Sequence, residues 1–498
     1  MTGIFKRQRF ITVLAGGILL IYIFSLVGRH PHVDDAWLGE YAYWLAKSGF
    51  AKSELLRGIT NHEIKLVVYH KLHAVLGAAF IQVFGFSLYA LKSINLFFLI
   101  AFFTIYYRYF RINTYRNGLF LFALVLLFFH AAFFWYTFVF RPEIPAMTMG
   151  FLSFVLLYKT LKKNDNRLFV VLAGMSAAAA ALFHLNGLIY IFAGFVVLMI
   201  LGKYRWGLIF GTGATVILAF YFFDMTSPED FSLWINQYSN SPHFGKKYDG
   251  PFILGILNRI GQEHMRYFHS PKEIAFSILL IVSLIFAAGK LKKQGILIIY
   301  TSLLAFALSA ISIHKTSYYL ILLLPWLVLL ISLAFDHIVS VGKPVKFAGI
   351  NVKKSLKLNI ISSLIVIYLA VQLFYIAPVV INKNNLNDNL ELIDQYISKP
   401  KDSLNIIAPM THIFYGGITD YNRIQAEVSY NEMKKSDPTI YKTGFLDKAE
   451  EFDIDYIILS EFFIGHFGID QLEEADLLAA NYEMLHQSEG LVILKNHN

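Results

Sequence analysis

The chain has 498 residues, of which 56% are hydrophobic and 15% charged, against about 25% charged in a soluble globular domain. That composition excludes a soluble fold, and the absence of cysteine excludes disulfides, thiolate catalysis and Cys-based metal sites. The net charge of +9 fits short basic loops that orient a membrane protein better than a nucleic-acid surface.

Lys6, Arg7 and Arg9 precede an apolar run, Phe10–Val27. No small-residue cleavage site follows and more spans come later, so the run reads as a first transmembrane helix with a cytoplasmic N-terminus. Residues 28–87 form a long mixed loop. Within it, Asp34 suits the N-cap of a helix over Asp35–Lys47, and the second carboxylate suits the positive helix end. Trp37, Leu38, Tyr41, Trp44, Leu45 and Ser48 recur at helical spacing, which predicts an amphipathic helix on the membrane surface, ended by Gly49. Ile64–Phe84 mixes Lys65, His70, Lys71 and His73 with apolar residues and predicts a second such element, closed by Gly85.

Further spans are predicted over Leu88–Tyr107, Gly118–Tyr136, Pro145–Leu161, Leu168–Phe183, Gly187–Leu201, Gly207–Phe223, Glu273–Gly289, Gly295–Ile313, Ser317–Phe335 and Leu358–Pro378. With the first helix this makes about eleven, several near the lower end of the roughly 17–25 residues a spanning helix needs. One set of alternate loops holds the basic residues: Arg108 to Arg116, Lys159 to Arg167, Lys203 and Arg205, Lys290 to Lys293, and Lys343 to Lys357. The short loops of the opposite side hold little beyond Arg141, His184 and Lys315. By the positive-inside rule the Asp34–Asp35 loop and the C-terminus lie outside the cytoplasm. Met225–Lys272 is a longer outer loop with Trp234, Tyr238, His243, Tyr248, His264, Tyr267 and His269. From Asn382 the chain turns polar. Strands are predicted at Leu404–Pro409, Tyr456–Ser460 and Leu491–Lys495, and helices at Asn389–Ile397 and Ile469–Ala480, giving a small α/β domain over residues 381–498.

Chemistry concentrates at the outer rim. The stretch His30-Pro31-His32-Val33-Asp34-Asp35-Ala36-Trp37 sets adjacent carboxylates directly after the first span. A carboxylate there can take the proton of an acceptor hydroxyl, and its neighbour can tune it or hold the acceptor; read locally, the pair caps a helix. Arg141-Pro142-Glu143 puts a cation and a second acid at an outer helix start, either for a lipid phosphate and the cavity or as interface anchor and cap. His184 in His184-Leu185-Asn186-Gly187 faces a phosphate or acceptor, or belongs to a plain turn. Lys315, beside His314 and before Tyr318 and Tyr319, suits an anionic leaving group or an interface anchor. His30 and His32 next to the carboxylates leave a divalent cation open, but two His in a loop do not define a metal site.

The layout resembles the C-type (GT-C) membrane glycosyltransferases, in the branch of the protein O-mannosyltransferases and the lipid A aminoarabinose transferase (family 39-like). It rests on a first span, a carboxylate pair opening an amphipathic helix, many spans and an outer C-terminal domain. Leu76–Lys92 is similar to a family stretch of small residues, a Phe-Gly and a basic residue, often Arg where Lys92 stands. Asp35 stands where the family often has Glu. Lys315, Tyr319 and Pro325 resemble a late Lys…Tyr…Pro pattern, with Leu322 in place of one expected Pro. The resemblance covers residues 1–380 and implies a catalytic role for Asp34, and contact of Lys315 and Tyr319 with a carrier phosphate.

The expectation is therefore an α-helical multi-pass membrane protein with amphipathic outer helices and a small extracytoplasmic α/β domain. It is expected in a cell membrane, transferring a sugar from a polyprenyl-phosphate donor to a lipid, glycan or protein hydroxyl with inversion. Asp34 and Asp35 are the expected catalytic pair, and Arg141, Glu143, His184, Lys315 and Tyr319 bind substrate. No cofactor is required, since the leaving group is an activated phosphate. The rivals are a lipid-linked saccharide flippase, which would carry its ionisable residues at mid-membrane, and an oligosaccharide polymerase or ligase.

Overall fold

The computed structural model describes residues 13, 16–17, 20–26, 29, 31–163, 166–240, 251–291, 294–340, 345–347, 350–352, 354–381, 392–397, 400–415, 417–435, 437–488 and 490–497. Much of the first expected span, His30, His243, Tyr248 and the start of the Asn389–Ile397 helix lie outside them.

Among the described residues five helices are long and apolar enough to cross a membrane: Leu88–Ile112, Glu143–Lys162, Tyr204–Phe222, Pro271–Gly289 and Lys354–Ile381. Six shorter apolar helices accompany them, among them Arg167–Phe183 and Leu324–Ser340. Residues 20–26 are helical, and the buried Tyr22 hydroxyl donates to Phe128 O at 2.9 Å, so this stretch lays one face against the bundle while Leu20, Ile21, Ile23 and Phe24 are exposed. Aromatic residues fill the centre. Trp326 is fully buried between Tyr190 and Tyr300, at ring separations of 5.6 and 6.0 Å. Gly150 is required there, because a Cβ on it would stand 2.4 Å from the Tyr190 ring.

Two expected spans are interrupted. The run Gly118–Tyr136 divides into helices Asn117–Phe128 and Ala131–Tyr136 around Phe129 and His130. The last span compensates the break: Gln372 Oε1 accepts from Ala131 N at 2.7 Å, and Gln372 Nε2 donates to Lys272 O at 2.7 Å. The run Ser317–Phe335 divides into a 3-10 segment, Ser317–Leu322, and the Leu324–Ser340 helix. Pro325 therefore sits in a first helical turn, where its missing N–H costs nothing.

The helix Val33–Ser48, here the rim helix, ends at Gly49 in the left-handed region, φ 79°. Its N-cap is His32, not Asp34: His32 Nδ1 accepts from Asp34 N while Asp35 accepts from His32 N, a reciprocal capping box. Two turns on, the buried Glu40 carboxylate accepts from Ser53 Oγ, Glu54 N, Leu55 N and Trp44 Nε1 and so folds the following loop back on the rim helix. The second expected surface element starts later than expected, at Lys71, and runs to Phe84. Lys71 Nζ meets both oxygens of Asp224, at 2.6 and 2.7 Å, which ties this helix to the residues that follow the Tyr204–Phe222 span.

Burial pushes Glu40 up to about 7 against its four donors. An acid whose folded pKa lies above its unfolded value holds its proton in the fold longer than in the open chain. Stability from this group is therefore present below about pH 4.5 and falls as pH rises towards 7, by about 3 kcal/mol in all. Glu40→Gln is expected to remove that component; melting wild type and variant from pH 4.5 to 7.5 checks it, and parallel curves would refute the assignment.

The C-terminal part is a five-stranded mixed sheet in the order Arg423–Ala426, Asn405–Ala408, Tyr456–Ser460, Leu491–Asn496, Tyr482–Gln487. The first three strands are parallel and the last two pair antiparallel. Ile469–Ala480, expected as one helix, is a 3-10 turn, Ile469–Gln471, followed by the helix Glu474–Ala479. The sheet docks on the stretch between the rim helix and the Leu88–Ile112 helix: Ala426 N donates to Leu55 O at 2.9 Å, and Phe414 stacks on Phe86 at 5.4 Å. Gly39 of the rim helix leaves room for Leu91, whose Cδ1 would stand 2.8 Å from an added Cβ.

Candidate active site

The rim helix turns successive side chains by about 100°, so Asp34 and Asp35 diverge. Asp34 keeps 14% side-chain exposure. Its Oδ1 accepts from Trp37 Nε1 at 2.8 Å and its Oδ2 from Arg141 Nη1 at 2.5 Å, with His32 Nδ1 at 3.1 Å. Burial pushes this carboxyl up, but Arg141, His32 and Trp37 outweigh burial and hold it below the usual carboxylate range. It is ionised at neutral pH.

Asp35 is fully buried and faces inward. Its Oδ1 accepts from Phe140 N at 2.5 Å, and its Oδ2 accepts from His32 N at 2.7 Å and pairs with Lys92 Nζ at 3.2 Å. Its carboxylate is committed to the scaffold: it fixes the strand of chain that delivers Arg141.

Arg141 joins two acids and two aromatic rings. Beyond Asp34, its Nη2 reaches Glu143 Oε1 at 2.5 Å and its Nε lies 3.0 and 3.1 Å from the two Glu143 oxygens. The guanidinium lies over the Tyr318 ring at 4.5 Å and the Tyr136 ring at 5.1 Å. Glu143 is fully buried, and its Oε1 lies 3.9 Å from His184 Nε2. His184 stacks on His70 at 4.8 Å and meets Tyr319 edge-on at 5.2 Å. Burial lowers both His70 and His184 to about 3, so both rings are neutral.

Asp34, Arg141, Glu143, His184 and Tyr319 thus form one continuous line of contacts. Lys315 stands apart from it. Its Nζ donates to Glu263 Oε2 and Ser309 O, each at 2.8 Å, and its side chain is 4% exposed.

His184 and Tyr319 at one end of the line, and Trp37 bonded to Asp34 at the other, border a cavity of 760 Å³ that Tyr69, His70 and Arg259 also line. Leu182, Leu185, Leu188, Leu218, Phe222 and Ile311 supply an apolar wall. Arg259, on the Phe252–Gly261 helix, has a buried Nε without a hydrogen-bond partner among the described residues. The sequence offered a signal for it, a cation in the last turn of an amphipathic segment, but the stretch Met225–Lys272 was read only for its aromatic and histidine content. Among the described residues no group of three or more His, Asp or Glu converges on a metal position. The Asp34 oxygen nearest His32 already faces Arg141, and a second cation there would be repelled.

No protein-family model and no curated protein matches the chain. Solved structures do. ArnT from Cupriavidus metallidurans bound to undecaprenyl phosphate is similar at 12% identity and TM-score 0.62, over 98% of each chain. The Archaeoglobus fulgidus oligosaccharyltransferase in the apo form is similar at 11% identity and TM-score 0.55, over 94% of this chain and 72% of that one. The archaeal oligosaccharyltransferase AglB from the same organism, in complex with an inhibitory peptide and a dolichol-phosphate, reaches 12% and 0.51. At these identities the likeness establishes a shared fold.

Proposed function

We propose that this chain, which has the GT-C membrane fold, is a glycosyltransferase that moves a sugar from a polyprenyl-phosphate to an acceptor hydroxyl on the outer face of a cell membrane. The observation that carries the reading is an ionised carboxylate, Asp34, held by the indole of Trp37, which lines a cavity that also has an apolar wall and Arg259, whose buried Nε has no hydrogen-bond partner among the described residues. A polyprenyl-phosphate presents the same two surfaces, a hydrocarbon chain and a dianionic head. That ArnT was solved with undecaprenyl phosphate and AglB with dolichol-phosphate supports the same donor class here.

In this reading the acceptor oxygen attacks the anomeric carbon from the face opposite the phosphate, its proton passes to Asp34, and the polyprenyl-phosphate leaves with both bonding electrons. The sugar inverts. Arg141 and Arg259 neutralise the charge that develops on the leaving phosphate. As Arg141 turns towards the phosphate its hold on Asp34 weakens, and Asp34 becomes a stronger base at the moment it is needed. Asp35 acts through Arg141 and Phe140 as a positioning residue, and His184 and Tyr319 line the path of the head group. Lys315 reaches the phosphate only by giving up Glu263, so Arg259 takes the role that the sequence assigned to Lys315.

The direct test supplies purified protein with a panel of polyprenyl-phosphate sugars and follows release of free polyprenyl phosphate with label transfer. Translocation of the lipid without release would replace this reading with the flippase. Within the same assay Arg259→Ala is expected to raise the donor KM roughly 10- to 100-fold, the scale of one charge-assisted hydrogen bond, with kcat less affected. An unchanged KM would remove Arg259 from the site.

A further inference from the structure

A second cavity, of 420 Å³, opens where the C-terminal half of the rim helix meets the sheet. Its walls are polar. Trp44, Lys47, Lys52 and Arg57 come from the first outer loop, and Tyr421 and Arg423 from the C-terminal part. Neither part makes the cavity alone. The Ala426–Leu55 hydrogen bond and the bond from Gln425 Nε2 to Arg57 O, at 3.3 Å, hold the two walls in register.

Charge and shape narrow what fits. Four cations, Lys47, Lys52, Arg57 and Arg423, face two carboxylates, Glu40 and Glu54. Glu40 is saturated by its four donors. Glu54 is shared between Lys52 at 2.9 Å and Arg57 at 2.5 Å, and its side chain is 14% exposed. The positive excess therefore faces the opening: Lys47 is exposed and touches the Tyr43 hydroxyl at 3.2 Å. Trp44 stands in the same wall, with Lys52 Nζ over its ring at 4.0 Å from the centroid. An aromatic face packs against the C–H side of a pyranose ring, and guanidinium and ammonium groups take a carboxylate or phosphate substituent. A lipid head group would need an apolar wall for its chain, which the larger cavity has and this one lacks.

We propose that this cavity binds the anionic part of a saccharide acceptor, and that the C-terminal sheet is present to complete it. Naming the ligand as acceptor rests on the transferase reading; binding of an anionic saccharide does not. Ten residues of helix, about 15 Å, separate Trp44 from Asp34. A short oligosaccharide spans that length, so one acceptor can hold its charge here while presenting a hydroxyl at the other end of the same helix.

The experiment measures binding of trigalacturonate and of neutral maltotriose to the full chain in detergent by saturation-transfer NMR. Trigalacturonate is expected to bind saturably, about tenfold or more tightly than maltotriose, and to weaken as salt is raised. Lys47→Glu, on an exposed side chain that leaves the fold intact, is expected to weaken it about tenfold; Trp44→Phe, with melting checked in parallel, is a second probe of the same wall. Equal affinity for both sugars, indifference to Lys47→Glu, or no binding of trigalacturonate overturns the proposal. Its failure is separable from failure of the transferase reading: release of polyprenyl phosphate without trigalacturonate binding sinks the cavity alone, and binding without release sinks the transferase alone.

Discussion

Asp34→Asn is expected to lower sugar transfer by about 10²–10⁴-fold, the range a positioned general base contributes, while leaving the melting temperature near wild type. The asparagine oxygen still accepts from Trp37 Nε1, and Arg141 keeps its contacts to Glu143, so no buried charge is stranded. What disappears is the group that receives the acceptor's proton. Donor KM should change little, because Asp34 reaches the carrier phosphate only through Arg141. The pH profile gives a second readout. Arg141 and His32 hold Asp34 below the usual carboxylate range in the free protein, so kcat/KM for wild type should show no acid limb from this group above about pH 4. Full activity in the asparagine variant, with folding confirmed by melting, would reduce Asp34 to a first-turn helix acid and shift attention to Glu143.

The carboxylate pair and the cation at Arg141 were legible because each sits at a hydrophobic boundary. The division of labour between Asp34 and Asp35 was not, since adjacent letters carry no sign of which face of a helix turns inward. The Asp34–Arg141 contact closes across 107 positions and has no local signature. The ion pair of Lys315 with Glu263 had no signature either, because its partner lies 52 residues away in a loop of mixed composition. The same loop concealed Arg259. The break at Phe129 and His130 leaves no Pro or Gly signal; the Gln372 side chain that supports it comes from the last span. In the C-terminal sheet the three strands at its centre were found from their apolar runs. The edge strands Arg423–Ala426 and Tyr482–Gln487 were not, because the first is only four residues long and the second is half-exposed along most of its length. The GT-C architecture expected from the motif order is the one observed.

Asp35→Asn should behave in the opposite way to Asp34→Asn: a loss of stability first, with activity following it. Lys92 is 1% exposed and Asp35 fully buried, and removing one member of such a pair leaves a charge in a poorly solvating interior, at about 3–5 kcal/mol. Asparagine retains one acceptor oxygen for Phe140 N or His32 N but no counter-charge. Lys92→Met should be milder, since the two backbone N–H groups still satisfy the Asp35 carboxylate. Combining Asp35→Asn with Lys92→Met removes both charges, so the double variant is expected to recover much of the stability lost by Asp35→Asn alone, with a coupling of about 2–3 kcal/mol by thermal melting in detergent. Strict additivity of the two single losses would mean that the pair is not coupled and that Asp35 acts only as an acceptor for its two N–H donors. The recovered fold need not recover transfer. Phe140 and Arg141 hang from the Asp35 oxygen that accepts at 2.5 Å, and an amide there holds that segment with a weaker, uncharged acceptor. Stability restored with kcat still depressed would separate the two duties of this residue, neutralising Lys92 and aiming Arg141.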